Sequence, residues 1–142
     1  MKEYCTIEDI AVMTGLTTRT IRSYLANGQL DGEKIDGVWQ FTAEQFSAFL
    51  AQDMVRQSVR AKENGKIYDF LLTDQRRESS ACLIWDWPVE TEEEEQALRE
   101  RLMERINRLG LECSYHHERK LSRVILLGSP NQIGEFMKLE TA

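Results

Sequence analysis

The chain has 142 residues, 42% of them hydrophobic and 30% charged, which fits one ordinary domain or two very small ones and excludes long multidomain enzyme architectures. Eight glycines and two prolines are too few for a low-complexity or disordered chain. The net charge of −6 excludes a broadly basic surface for non-specific nucleic-acid binding, while leaving room for a local basic patch.

No apolar run approaches the roughly 18 residues of a membrane helix, and Glu3, Glu8 and Asp9 fall where a signal peptide needs an unbroken apolar stretch. A cytoplasmic protein with no membrane partner is therefore expected. Cys5, Cys82 and Cys113 are odd in number, far apart and without Cys-x-x-Cys spacing, so reduced thiols are expected rather than disulfides or a zinc ribbon.

In chain order, Thr6 precedes Ile7, Glu8, Asp9 and Ile10, so its hydroxyl caps a short helix whose first turn carries two acids at the positive end of the dipole. Ile7, Ile10, Ala11 and Thr14 give it one buried stripe, and Gly15 ends it. Thr17 caps a second helix, which buries Leu16, Ile21 and Leu25 and stops at Asn27-Gly28. Two short helices joined by a tight turn containing Gly form a helix-turn-helix. On the second helix Thr18, Arg19, Arg22 and Ser23 fall away from the buried stripe. Arginines beside small hydroxyls suit a DNA groove, because Arg forks onto guanine while hydroxyls and a helix N-terminus take phosphate.

Asp31-Gly32 and Asp36-Gly37 supply turn chemistry between the alternating Ile35, Val38 and Phe41, which predicts a β-hairpin wing. Thr42-Ala43-Glu44-Gln45 is a capping-box pattern, followed by Phe46, Phe49 and Leu50 at helical spacing.

These pieces, in this order, carry a resemblance over the first third of the chain. Thr-Ile-Glu-Asp-Ile-Ala, Thr-Gly-Leu-Thr-Thr-Arg-Thr-Ile-Arg, Asn-Gly-Gln-Leu and Gly-Val-Trp-Gln-Phe-Thr-Ala-Glu-Gln-Phe together resemble the winged helix-turn-helix of the MerR and excisionase superfamily. The resemblance implies that the second helix enters the major groove, with Thr17, Thr18, Arg19 and Arg22 as DNA contacts and Lys34 as a wing contact. It places Tyr24 either on phosphate or in the core. Gly37-Val38-Trp39 departs from the classical MerR wing, where an aromatic and an arginine follow the glycine, and is closer to the excisionase version.

From Ala51 to Asn64 helix formers dominate, and Met54, Val55 and Val59 continue the preceding apolar side, which predicts one helix from Ala43 to about Asn64, stopped at Asn64-Gly65. Arg56, Arg60, Lys62 and Lys66 are expected on a solvated face. No sustained heptad run supports a coiled-coil dimer here. Ile67, Phe70 and Leu71 lie at helical spacing, and the polar stretch TDQRRESS after them marks a boundary.

Beyond it, ACLIWDWPV reads as a strand with Leu83, Trp85 and Trp87 on one face and Cys82, Ile84 and Asp86 on the other. Thr91 to Glu94 is another capping-box pattern, and Leu98, Leu102, Ile106 and Leu109 form a helix stripe stopped by Gly110, with Arg99, Arg101, Arg105 and Arg108 counted as charges late in the helix. Leu111, Cys113, Tyr115 and His117 alternate with polar residues as a strand with one buried face. SRVILLG supplies a further strand, antiparallel to its predecessor, and Ile133, Phe136 and Met137 a last helix.

The expected fold class is α+β: a winged helix-turn-helix over residues 1–50, a helical connector over 51–79, and a small β-α-β-β-α unit, half of a ferredoxin-like fold, over 80–142. That half fold leaves an open strand edge, which a second chain would cover in a homodimer. Cys113 and His117 share a face but stand about 13 Å apart at ~3.3 Å per residue, too far to ligate one zinc, so neither a metal nor catalysis is expected. Trp85, Trp87, Tyr115 and His117 are either packed core or the lining of an effector pocket.

The expected function is a dimeric, non-enzymatic transcriptional regulator without a cofactor. It would bind double-stranded DNA through Thr17, Thr18, Arg19, Arg22, Ser23 and Lys34, with room for a small-molecule effector. The rivals are an excisionase-like architectural or recombination factor and an adaptor that binds protein rather than DNA.

Overall fold

A computed structural model describes residues 4–142 as a mixed α+β chain with six helices and two small sheets among those residues. Helices α1 (Ile7–Thr14) and α2 (Thr18–Ala26) are followed by strands β1 (Glu33–Ile35) and β2 (Val38–Gln40), then helices α3 (Ala43–Leu50) and α4 (Asp53–Leu72). Strand β3 (Ala81–Pro88), helix α5 (Glu92–Leu109), strands β4 (Glu112–Glu118) and β5 (Leu121–Gly128), and helix α6 (Pro130–Thr141) complete it. No helix among the described residues is long and apolar enough to cross a membrane.

Local chemistry sets most of these ends. The Thr6 and Asp9 side chains close a reciprocal capping box on α1, and Gly15, at φ +77°, terminates it. Thr17 accepts from the Thr20 amide to start α2, and Thr42 and Ser129 form capping boxes with Gln45 and Gln132 on α3 and α6. At α5 the Thr91 hydroxyl takes the Glu94 amide as expected, but the Glu94 carboxylate accepts from the Glu90 amide, so the box does not close on the cap itself. In the β1–β2 hairpin Asp36 and Gly37 have φ of +51° and +80°, the left-handed pair that a two-residue hairpin turn requires.

Two expectations fail between residues 43 and 72. The single helix is broken at Ala51–Gln52, where Gln52 leaves helical geometry and donates its side-chain amide to the Gln29 carbonyl. Gly65 does not end the next helix, which continues to Leu72. Glycine in a helix interior costs only about 1 kcal/mol relative to Ala, and packing against a sheet outweighs that.

The second sheet has the order β3-β5-β4, with both outer strands antiparallel to the central β5. Strands β3 and β4, joined through α5, therefore run parallel with β5 inserted between them. Helices α5 and α6 cover one face through Leu98, Leu102, Ile106, Ile133 and Phe136 against Val124, Leu126 and Tyr115. A side chain of this kind contributes roughly 1.5–3 kcal/mol when fully buried.

Strand β4 was expected to bury one face only, yet Ser114 on its opposite face is also buried. Helix α4 crosses there, held by Arg60–Glu118 (3.1 Å), Glu63–His116 (2.5 Å) and Lys66–Glu112 (3.0 Å). Arg60 and Lys66 thus serve as cross-links rather than members of a merely solvated face. Helix α1 packs on the same strand: Cys113 Sγ donates to the Met13 carbonyl at 3.6 Å, Ser114 Oγ to the Thr14 carbonyl at 3.3 Å, and Asn107 Nδ2 to Asp9 at 3.0 Å. The outer edge of β4 is thereby packed by the chain's own first helix, whereas the outer edge of β3 carries no strand among the described residues. One continuous buried cluster runs from Cys5 and Ile10 through Phe46 to Ile106 and Phe136.

Candidate nucleic-acid interface

Helix α2 is anchored by Ile21, fully buried, and by Tyr24, whose ring meets Phe49 edge-on at 5.3 Å and whose hydroxyl is 2.9 Å from Ser58 Oγ. Tyr24 therefore belongs to the core, the second of its two expected places. The opposite flank presents Thr17, Thr18, Arg19, Arg22 and Ser23, all exposed. Helical geometry sets Arg19, Arg22 and Ser23 at i, i+3 and i+4, on one strip of surface. Neither arginine makes an ion pair among the described residues.

The hairpin brings Lys34 beside this strip. Lys34 and Trp39 are cross-strand partners, and both line a hollow of about 190 Å³ with Arg22 and Glu8. Trp39 is half-buried and packs against the core, supporting the hairpin from beneath. The chain's nearby acids are disposed unequally. Asp9 is buried and bonded to Asn107, whereas Glu8 lies in the hollow itself. The arrangement offers two forked donors and an ammonium for anionic, groove-bearing partners, with one carboxylate among them.

Trp85, Trp87, Tyr115 and His117 are also brought together, on the face of the second sheet turned to α5 and α6. They form two rows across it, Trp85-Val124-Tyr115 and Trp87-Ser122-His117. The two indoles stack with centroids 5.3 Å apart and an interplanar angle of 2°, and Phe136 meets Trp85 edge-on. Tyr115 is fully buried and its hydroxyl donates to Glu95 at 2.6 Å. Burial, with the Glu95 charge adding to it, pushes the Tyr115 phenol far above its ordinary range.

Proton accounting orders the rest of this row. Tyr115 spends its single proton on Glu95, so the 3.0 Å contact with Ser122 has Ser122 as donor. Ser122 then has no proton left for the 2.8 Å contact with His117 Nδ1, which must itself donate. His117 therefore donates from Nδ1, and its Nε2 makes no hydrogen bond among the described residues.

The residues missed by sequence reasoning are Glu95 and Arg99. Arg99, 2% exposed, pairs with Glu95 at 3.2 Å, donates to Ala43 O at 2.9 Å and Ser47 Oγ at 2.8 Å, and lies over the Phe46 ring at 4.6 Å. The i, i+4 spacing of Glu95 and Arg99 was a signal for the pair, but identical spacing is usual on solvated helix faces. Cys113 is sealed in the core, where burial pushes its thiol far above the ordinary range, and burial raises Cys82 also. No cluster of three or more metal-ligating side chains occurs among the described residues.

No family model matches this chain, and neither a curated protein nor a solved structure is found to be similar to it.

Proposed function

We propose that this chain is a MerR/excisionase-like DNA-binding transcriptional regulator, in which α1 and α2 are the helix-turn-helix and the β1–β2 hairpin is its wing. The observation that carries the reading is that Arg19 and Arg22, on the exposed flank of α2, make no ion pair among the described residues, with Lys34 close to Arg22. In a chain of net charge −6, cations that make no ion pair among the described residues are available to phosphate and to guanine edges. Helix α2 would lie in the major groove, and Lys34 would take flanking phosphate.

A single reader of this size gives limited affinity, so the active species is proposed to be a homodimer binding two half-sites. The strandless edge of β3 is the natural place for subunit pairing, since exposed edges invite a partner. The test is selection of bound fragments from random duplex DNA, followed by binding titrations at several salt concentrations. Enrichment of a common sequence, with affinity falling steeply as salt rises, supports the reading. Recovery of no duplex at low salt overturns it.

The presence of Glu8 in the hollow with Arg22 and Lys34 favours a second reading, a protein-binding adaptor with the same surface. That reading requires no salt-sensitive retention of any duplex, so the same titration separates the two.

A further inference from the structure

A cavity of about 230 Å³ lies at the seam between the N-terminal helices and the second sheet. Its walls come from the end of α3, the first turn of α4, the β3–α5 loop, the start of α5 and the β4–β5 turn. The floor is electrically settled, since Glu95 and Arg99 neutralise each other and are bonded to Tyr115 and to Ala43 and Ser47 respectively.

The walls are not settled. Arg56 lines the cavity with its Nε buried and without an acceptor among the described residues, while its partly exposed Nη1 pairs with the exposed Asp53 at 3.4 Å. A desolvated guanidinium N–H without a partner is costly, and a forked carboxylate is the group that relieves it. On another wall Glu92 makes no ion pair among the described residues, and His117 has Nε2 unbonded, with its Nδ1 proton committed to Ser122. The remaining charges at the rim, Lys120 and Glu90, are already paired at 3.4 Å. One wall therefore offers a buried guanidinium N–H without an acceptor among the described residues, and the other an exposed carboxylate outside any ion pair beside an unbonded ring nitrogen.

We propose that this cavity binds a small zwitterion of the α-amino-acid class, its carboxylate on Arg56 and its ammonium toward Glu92 and His117. The volume is below the ~300–1,000 Å³ of sites for drug-sized molecules, which suits a ligand of this size. Its five contributing regions include both the helices that carry α2 and the sheet unit. The site thus supplies the effector position that the tryptophans and Tyr115 do not, since of that group only His117 lines it. The binding itself is independent of whether the chain reads DNA.

The experiment is isothermal titration of the full chain with each of the twenty proteinogenic L-amino acids, and with inorganic phosphate, at millimolar concentration. At least one amino acid is expected to bind with a stoichiometry of one per chain, at least tenfold tighter than phosphate. Arg56→Gln and Glu92→Gln should each weaken that binding at least tenfold, while far-UV circular dichroism stays unchanged. Removing the amino group from the ligand should have an effect comparable to Glu92→Gln. Absence of binding by every amino acid overturns the proposal, as does equal binding of phosphate, which would mark a simple anion site. Undiminished binding by folded Arg56→Gln overturns it as well.

Discussion

Arg99 Nη2 of α5 donates to the backbone carbonyl of Ala43, the first residue of α3, at 2.9 Å. The same guanidinium holds Ser47 and Glu95 and covers the Phe46 ring, so one side chain joins the N-terminal helices to the second sheet unit. Removing one member of a buried pair leaves the other charge uncompensated, at a cost of about 3–5 kcal/mol. Arg99→Met should therefore destabilise the fold by that order in chemical denaturation. The double variant Arg99→Met with Glu95→Gln should recover part of the loss, because it removes the stranded carboxylate. A loss below about 1 kcal/mol for Arg99→Met would show that the seam is held by apolar packing alone.

The parts of this fold that could be read from sequence are those fixed by neighbours in the chain. Thr6, Thr17, Thr42 and Thr91 act within three residues of themselves, and the Leu98, Leu102 and Ile106 stripe declares its own buried face. What stayed hidden depends on distant partners. Gly65 reads as a stop until the sheet that stabilises α4 is known, and Arg99 reads as a surface charge until α3 arrives over it. For the proposed interface, the exposure of Arg19 and Arg22 followed from the helical pattern, while the position of Glu8 beside Lys34 needed the folded hairpin. The cavity at Arg56 needed five separate regions to meet and had no linear trace.

Two glycines with different backbones should respond in opposite directions to the same change. Gly65 lies inside α4 with open space where a Cβ would stand, so Gly65→Ala should stabilise the protein by about 0.5–1 kcal/mol. Gly15 has φ +77°, and a Cβ there would sit 2.9 Å from Lys66 Cε and 3.1 Å from the Cys113 carbonyl. Gly15→Ala should lower stability by more than about 1 kcal/mol and loosen the contact of α1 with β4. Thermal denaturation of both variants reads the two signs. A stabilised Gly15→Ala protein would contradict the close approach described here.

Through one carboxylate, acid should weaken the face of the second sheet that α4 crosses. Asp86 on β3 receives paired hydrogen bonds from Arg123 on β5, at 2.7 and 2.9 Å, and these hold its carboxyl below the usual carboxylate range despite partial burial. A pKa depressed in the folded state contributes stability above the unfolded value, near pH 4, and that contribution disappears as pH falls through the folded value. Asp86→Asn should cost a few tenths to about 1 kcal/mol at pH 7, as for other partly exposed pairs, and almost nothing at pH 2. Urea unfolding of both proteins from pH 2 to 7 measures the gap. A gap that widens toward low pH would reverse the sign assigned here.

The exposed flank of α2 and the β1–β2 hairpin should differ in how they act on a selected duplex. Arg19 and Arg22 lie at i and i+3 on a strip anchored from behind by Ile21 and Tyr24, so shortening either leaves the core untouched. If they reach base edges, Arg19→Ala and Arg22→Ala should each cost about 1–3 kcal/mol, or roughly 5- to 150-fold, and relax preference at one position of the site. Lys34 sits on the hairpin with its side chain exposed, which suits phosphate. Lys34→Ala should weaken all duplexes alike and reduce the slope of log affinity against log salt by about 1. Glu8→Gln should strengthen binding, because it removes the carboxylate that shares the hollow with Arg22 and Lys34. Fluorescence anisotropy of selected and scrambled duplexes at three salt concentrations separates these effects. Unchanged affinity in both arginine variants, with the fold intact, would remove α2 from the interface and place the duplex contacts elsewhere on the chain.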